Sequence, residues 1–366
     1  MNELVREGAE LPQSLEEVVQ VEAAPTRQAG ISHLRVLAFA AAGDAPREVE
    51  WAAVPDLLRA EQHFIWADLS EYSAPDLAAV ATVLGLRRST IHTINSTWQR
   101  PTLANLNEYF FVSATIPRLN TQGYRILAGE LDLCVSRRFV LSAHRQPLPF
   151  GEQLWARALQ NPDLVQRDPA YLLYLMLDEL LIYDEDLNRH IQNQSELLEE
   201  QALSDVGDAF LEDLLHFKRY IFGLTELIDQ HREVFTGFFR PDFSGVTGEE
   251  VEGHFRDLQV RLAHLLSMLN AAKESVISAF NIYVSHMSHR TNQIIKVLTM
   301  VSTILLPATL IVALFGSSVQ SELPGLRSMW FWLMLGSIVA LCGSIVVVFM
   351  RQGWIAPRRT PNSLRQ

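Results

Sequence analysis

A chain of 366 residues carrying a net charge of -12 is too long for one small core and too acidic to bring the basic footprint that nucleic acid demands. Its mean hydropathy of +0.09 would suit a soluble protein, but the average hides a division, because the most apolar sequence lies after Lys296. The two cysteines, Cys134 and Cys342, give neither a disulfide framework nor a zinc-ligand spacing, so a reducing cytoplasmic side is expected for the soluble part.

Residues 1–30 form an acidic N-terminal segment, with Glu3, Glu7, Glu10, Glu16, Glu17 and Glu22 against Arg6 and Arg27. No basic stretch there leads into an apolar run, so a cleavable signal peptide is not expected. Residues 31–150 mix strand and helix patterns. Leu34 to Ala41, His63 to Leu69, Asn107 to Ile116, Ile126 to Val135 and Phe139 to Ala143 read as strands, the last two joined as a hairpin through Ser136, Arg137 and Arg138. Pro75 to Leu86 reads as a helix capped by Ser73. The mixture predicts an α/β cytoplasmic domain.

A linker at Gln146 to Phe150, with Pro147 and Pro149, leads into a helical part over residues 151–248. Asp178, Glu179, Asp184, Glu185 and Asp186 fall in its apolar-periodic run, and a solvated helix face is the expected reading for most of them. After a break at Pro241 to Gly248, the stretch from Glu249 to Phe315 contains a single proline, Pro307. Leu258, Leu262, Leu265, Leu269, Ala272, Val276, Ala279 and Tyr283 recur in it at helical spacing, which predicts a stalk helix over 249–296 that continues into the membrane.

Val297 to Phe315 and Met329 to Met350 are uncharged and apolar, each near the ~20 residues needed to cross a hydrocarbon core. Residues 297–315 are therefore expected as transmembrane helix 1, residues 316–328 as an external loop and residues 329–350 as transmembrane helix 2. Trp330 and Trp332 suit an interfacial belt. Arg290 and Lys296 precede the first run, and Arg351, Arg358, Arg359 and Arg365 occupy the basic tail, 351–366. This bias predicts a multi-pass protein of the cell inner membrane with both termini cytoplasmic and lipid as a partner.

No phosphate-binding glycine loop, HExxH pair or nucleophile elbow occurs, which favours conduction over catalysis. His286 and His289, three apart, read as helix-surface histidines. Two helices cannot enclose an aqueous pore, so conduction requires several copies around an axis. The first run is the better lining because it carries Ser302, Thr303, Pro307 and Thr309, although such residues also serve as helix-packing contacts. At spacings of three and four, Asn292, Ile295, Leu298 or Thr299, Ser302, Leu306, Thr309, Ala313 and Ser317 share one face. Asn292 could hydrate a cation at the inner mouth, and Leu298 and Leu306 could close by dewetting.

The run Arg290-Thr-Asn-Gln-Ile-Ile-Lys-Val-Leu-Thr-Met, followed by Leu306-Pro307-Ala-Thr309 and Phe315-Gly316, resembles the pore helix of the CorA superfamily of divalent-cation channels and transporters. Trp66-Ala67-Asp68-Leu69, Arg100-Pro101-Thr102-Leu103, Tyr109-Phe110-Phe111-Val112 and the Leu177-Asp178 helix resemble parts of its cytoplasmic domain. The resemblance, from Val36 to Trp354, implies a funnel-shaped homopentamer. Its first transmembrane helix would line the axis, with polar rings at Asn292 and Thr309 and apolar constrictions at Leu298 and Leu306. It further implies magnesium as substrate, with cobalt or nickel. No cofactor is implied; the divalent ion is substrate and a candidate regulator.

Two positions depart from the family pattern. Gly316-Ser317-Ser318 stands where the family carries Gly-x-Asn, so the entrance would offer Ser318 hydroxyls, with Glu322 either supplying external charge or facing solvent. Hydrated-ion contacts are expected at Asn292, Thr309 and Ser318. Asn281 replaces a stalk acid that many relatives carry, which puts magnesium sensing in doubt. A proton-coupled zinc transporter, a nonselective or anion channel, and a nonconducting membrane scaffold or sensor remain the competing readings.

Overall fold

The computed structural model describes residues 33–40, 45–60, 63–96, 100–120, 125–160, 169–204, 208–240, 243, 249–318 and 324–352. They divide into two compact units, Met1–Ala279 and Phe280–Gln366.

In the first unit, strands β1 (Leu34–Ala40), β2 (Arg47–Glu48), β3 (His63–Ser70), β4 (Thr102–Asn105), β5 (Phe110–Asn120), β6 (Arg125–Val135) and β7 (Phe139–His144) form one sheet in the order β2-β1-β3-β7-β6-β5-β4. Every neighbouring pair is antiparallel except β3 and β7, which run parallel. The expected hairpin between β6 and β7 is present, with Ser136 N–H donating to the Phe139 carbonyl at 2.8 Å. Strand β5 spans Phe110 to Asn120, starting later than the sequence suggested because Leu106 N–H pairs with Tyr109 O and Asn107 takes φ 68°. The turn therefore occupies the residues first read as the strand's start.

Helices α1 (Val54–Arg59), α2 (Ala74–Leu84) and α3 (Arg88–Asn95) connect the early strands. Helix α2 starts at a capping box: Ser73 Oγ accepts from Asp76 N–H, and Asp76 Oδ2 accepts from Ser73 N–H. It stops at Gly85, whose φ of 69° suits a residue without Cβ. Leu77, Val80, Ala81 and Leu84 of α2 and Ile94 of α3 pack on Val36, Ile65, Ala67, Leu69 and Leu141 of the sheet. Burying each such side chain is worth about 1.5–3 kcal/mol.

Helices α4 (Gly151–Gln160), α5 (Pro169–Ala202), α6 (Asp208–Asp229) and α7 (His231–Gly237) follow the sheet. Trp66, pointing to the sheet face opposite Ile65 and Ala67, lies 4.9 Å from Trp155 of α4, centroid to centroid. Helix α8 (Glu249–Ser318) contributes to both units. It is helical through Ser285 to Ser288. Arg261 on α8 pairs with Asp178 and, through Nη2, with Glu185 Oε1 at 3.1 Å, both on α5. The solvated-face reading of the α5 acids fails for Asp178, which is buried beside Arg261, and for Asp184, which is 1% exposed.

A polar network holds the two central strands. Ser142 Oγ donates to Asp68 Oδ1 at 2.6 Å and accepts from Trp66 Nε1 at 2.9 Å, while His144 Nε2 lies 3.2 Å from the same carboxylate oxygen. Arg35 links Asp68 Oδ2 to Glu152 of α4 and stacks over Trp155. Burial opposes ionisation of Asp68, but the His144 and Ser142 hydrogen bonds and the Arg35 charge outweigh it and hold the carboxyl below its ordinary range.

The second unit contains the remainder of α8 and helix α9 (Pro324–Arg351). Helix enters both ends of the segment expected as a loop, since α8 reaches Ser318 and α9 begins at Pro324. A helix end leaves four carbonyls without partners, which favours extending α8, and proline is well placed at a first helical position.

Helix α7 completes the sheet edge. Strand β4 stops at Thr102, opposite Ser113, so two residues further along β5 the Thr115 N–H has no strand to pair with. His231 Nε2 accepts it at 3.0 Å. Burial pushes the imidazole down from its ordinary 6.5 to about 4, keeping it neutral and able to accept. The unfolded chain takes up this proton first, so the contribution is complete above about 6.5 and is lost as pH falls toward about 4. Replacing His231 with Ala should cost about 1–3 kcal/mol at pH 7 by stranding the Thr115 N–H. The difference in unfolding free energy between the original protein and this variant, measured by denaturant titration, should shrink across that window.

Candidate ion pathway

Among the described residues, two helices are long and apolar enough to cross a membrane, one within α8 and the other Phe331–Arg351 in α9. A core helix of a soluble protein would be mostly buried. Here 0% and 6% of the two apolar windows are buried within the chain. Leu298, at 64% exposure, and Leu306, at 68%, are uncovered in the single chain. So are Ile294, Val301 and Leu305, on other sides of the same helix.

The structure places Asn292, Ile295, Leu298, Ser302, Leu306, Thr309 and Ala313 on α8 within the second unit. At 100° per residue they fall, with Ser317, within an arc of roughly 120°. Ser302 is half-buried, and the other six described side chains are exposed. Gly316, Ser317 and Ser318 form the last turn of α8, but their side chains lie outside the described ones, and Glu322 lies outside the described residues. No bonding contact among the candidate side chains is present to test their joint role, which depends on an axis that one chain does not contain.

The hydroxyl groups show how this helix carries polarity in an apolar segment. Thr299 Oγ1 donates to the Ile295 carbonyl at 2.7 Å, Thr303 Oγ1 to Thr299 O at 2.7 Å and Thr309 Oγ1 to Leu306 O at 2.9 Å. Each hydroxyl proton is thereby satisfied within the helix, and each oxygen keeps lone pairs to offer. Pro307 lacks an N–H, so the Thr303 carbonyl loses its normal helical donor. That freed carbonyl is a polar group the side-chain reading did not count, and the proline four residues on is its sequence signal.

Among the described residues no cluster of three or more His, Cys, Asp or Glu is placed to hold a metal. His286 is half-buried and His289 exposed. Asn281, also on α8, is exposed.

Comparison with known proteins decides the family. The family model described as CorA-like Mg2+ transporter protein matches residues 61–351. The chain belongs to this family. The family is one of transporters, which places the chain's function in divalent-cation transport and outside enzymology.

A cobalt/magnesium transport protein CorA of Thermotoga maritima is 22% identical over 293 residues, covering 79% of this chain and 83% of that protein. A cobalt/magnesium transport protein CorA of Methanocaldococcus jannaschii is 22% identical over 297 residues, covering 81% and 92%. The complete structure of the CorA magnesium transporter from Methanocaldococcus jannaschii matches with TM-score 0.74 at 20% identity, covering 87% of this chain and 98% of that one. The full-length CmaX protein matches with TM-score 0.70 at 18% identity, covering 90% and 99%. At these identities the structural likenesses establish the fold: an α/β domain, long helices and two apolar C-terminal spans. The chain is a multi-span membrane protein of CorA-like architecture.

Proposed function

We propose that this protein is a divalent metal-ion channel or transporter, carrying magnesium with cobalt and nickel as further substrates, through the axis of a homopentamer. Family membership over residues 61–351 is the observation that carries this reading. The relatives named for cobalt and magnesium transport supply the ions. In the proposed assembly α8 lines the axis, α9 faces lipid, and both chain ends lie on the cytoplasmic side of the inner membrane, as the flanking arginines favour.

The lining divides by chemistry. Asn292 at the inner mouth, Thr309 further along and Ser318 at the entrance present oxygens to the water shell of the ion, which magnesium sheds reluctantly. Leu298 and Leu306 form apolar rings that hold the pathway shut by excluding water, with Ile295, Ser302, Ala313 and Ser317 on the wall between the rings.

The entrance motivates a second reading. Ser318, where the resembling family carries asparagine, has a shorter arm and no amide, so five copies leave a wider and less discriminating ring. A pathway conducting several cations with little selectivity is the outcome that this residue favours.

Flux through proteoliposomes containing the assembled protein separates these readings. Divalent flux well above monovalent flux supports the first, and equal fluxes support the second. Absence of divalent flux from correctly assembled, open protein would refute both. Leu306→Ser, which wets one constriction, should raise flux by about tenfold, equivalent to about 1.4 kcal/mol off the barrier. Ser318→Asn should raise the ratio of magnesium to sodium flux, measured in the same vesicles. An unchanged ratio would remove Ser318 from the entrance.

A further inference from the structure

Helix α5 carries a buried polar pair that no part of the transport reading uses. Asp184 and Asn188 stand one turn apart, each 1% exposed, on the face that also buries Leu180, Leu187 and Ile191. Among the described residues, Asp184 Oδ1 and both polar atoms of the Asn188 amide, Oδ1 and Nδ2, have no hydrogen-bond partner. Leaving such groups unmatched costs about 1–3 kcal/mol each, so a ligand belongs here.

The donor and acceptor inventory selects that ligand. A metal cation would satisfy Asp184 Oδ1 and Asn188 Oδ1 but leave both amide N–H donors stranded. An anion would satisfy the amide hydrogens but set its own acceptor oxygens against Asp184 Oδ1 and Asn188 Oδ1, which need donors. Water donates and accepts, and a buried water typically makes about three hydrogen bonds. We propose that Asp184 and Asn188 form an internal hydration site in which ordered water bridges the carboxyl group to the amide.

The surrounding groups fit a neutral carboxylic acid at this site. On α5 the neighbours are Glu185, whose charge opposes ionisation of Asp184, and the Tyr183 phenol. From α6 the Tyr220 phenol lies within electrostatic reach of Asp184. The nearby cations act elsewhere: Arg118 of β5 acts on Tyr183 and donates to the Pro147 carbonyl, and Arg261 is held by Asp178 and Glu185. Burial first, and Glu185 second, push the Asp184 carboxyl well above the usual carboxylate range. A protonated Asp184 donates its hydroxyl hydrogen to the bridging water, which in turn serves the amide. Because the folded form holds this proton more tightly than the unfolded chain does, the contribution is greatest in acid and declines as pH rises through the raised value.

The test uses the full chain in detergent micelles. A structure determined at a resolution that shows water should place one within hydrogen-bonding distance of both side chains. Asp184→Asn, a neutral isostere of the protonated acid, should fold and should unfold at the same or a higher temperature at pH 7. Its advantage over the original protein should grow by about 2 °C or more as pH is raised from 5 to 9. Asn188→Leu removes the amide and should lower the unfolding temperature at pH 7.

Four results would overturn the proposal. The first is a direct hydrogen bond between Asp184 and Asn188 with no water present. The second is an Asp184→Asn variant that fails to fold, or that is less stable by the same amount at every pH, since either means an ionised carboxylate is required. The third is a rise in unfolding temperature with magnesium chloride or sodium chloride that Asp184→Asn abolishes, which would make the pair a cation site. The fourth is an Asn188→Leu variant as stable as the original, which would leave no bridged amide to account for.

Discussion

The parallel pairing of β3 with β7 is the constraint on which the soluble unit depends. The strands lie far apart in sequence, so a parallel pair between them requires a long crossover, and α2, α3, β4, β5 and β6 all occur within it. Strand β7 is buried along its whole length, so any polar side chain there must find its partner inside the fold. Asp68 provides it, collecting Ser142 and His144 from β7 and Arg35 from β1. Apolar burial supplies most of the stabilisation, and the network contributes register. A slip of one residue would turn Asp68 onto the opposite face, among Leu77 and Val80, where no partner waits.

The second unit meets the same demand for internal satisfaction in another way. Nothing in a hydrocarbon layer would pair with a free backbone group, and its described residues are helical nearly throughout. Where hydroxyl groups occur, Thr299, Thr303 and Thr309 give their protons to carbonyls of the same helix. In the sheet, polarity fixes which strands meet. In α8, it is folded back into the helix, leaving an apolar surface broken by oxygens.

The sequence made the long elements legible and the short ones obscure. Strands β1, β3, β6 and β7 announce themselves through β-branched and aromatic runs, and Ser73 with Asp76 marks the start of α2. Strand β4 does not, because Thr102 to Asn105 are partly or fully exposed and take their place by pairing with β5. The role of His231 depends on where β4 stops, a tertiary fact without a local signal. Asp184 was misread for a related reason: α5 buries more than one side, so the usual division between an apolar and a solvated face does not describe it. The candidate pathway was legible as an order of residues along α8, but its closure into a ring belongs to an assembly rather than to a chain.

The hydroxyl geometry also weighs on what such a pathway would carry. An anion crossing an apolar layer needs hydrogen-bond donors or fixed positive charge along its route. Between Val297 and Phe315 there is neither lysine nor arginine, and the protons of Thr299, Thr303 and Thr309 are already committed to backbone carbonyls. What these side chains can present outward is oxygen lone pairs, to which the Thr303 carbonyl, released by Pro307, adds another. Such groups accept hydrogen bonds from the water around a cation and give an anion nothing to hold. In the proposed entrance, Ser318 would offer a hydroxyl where an asparagine would offer an amide, a change that adds no fixed positive charge.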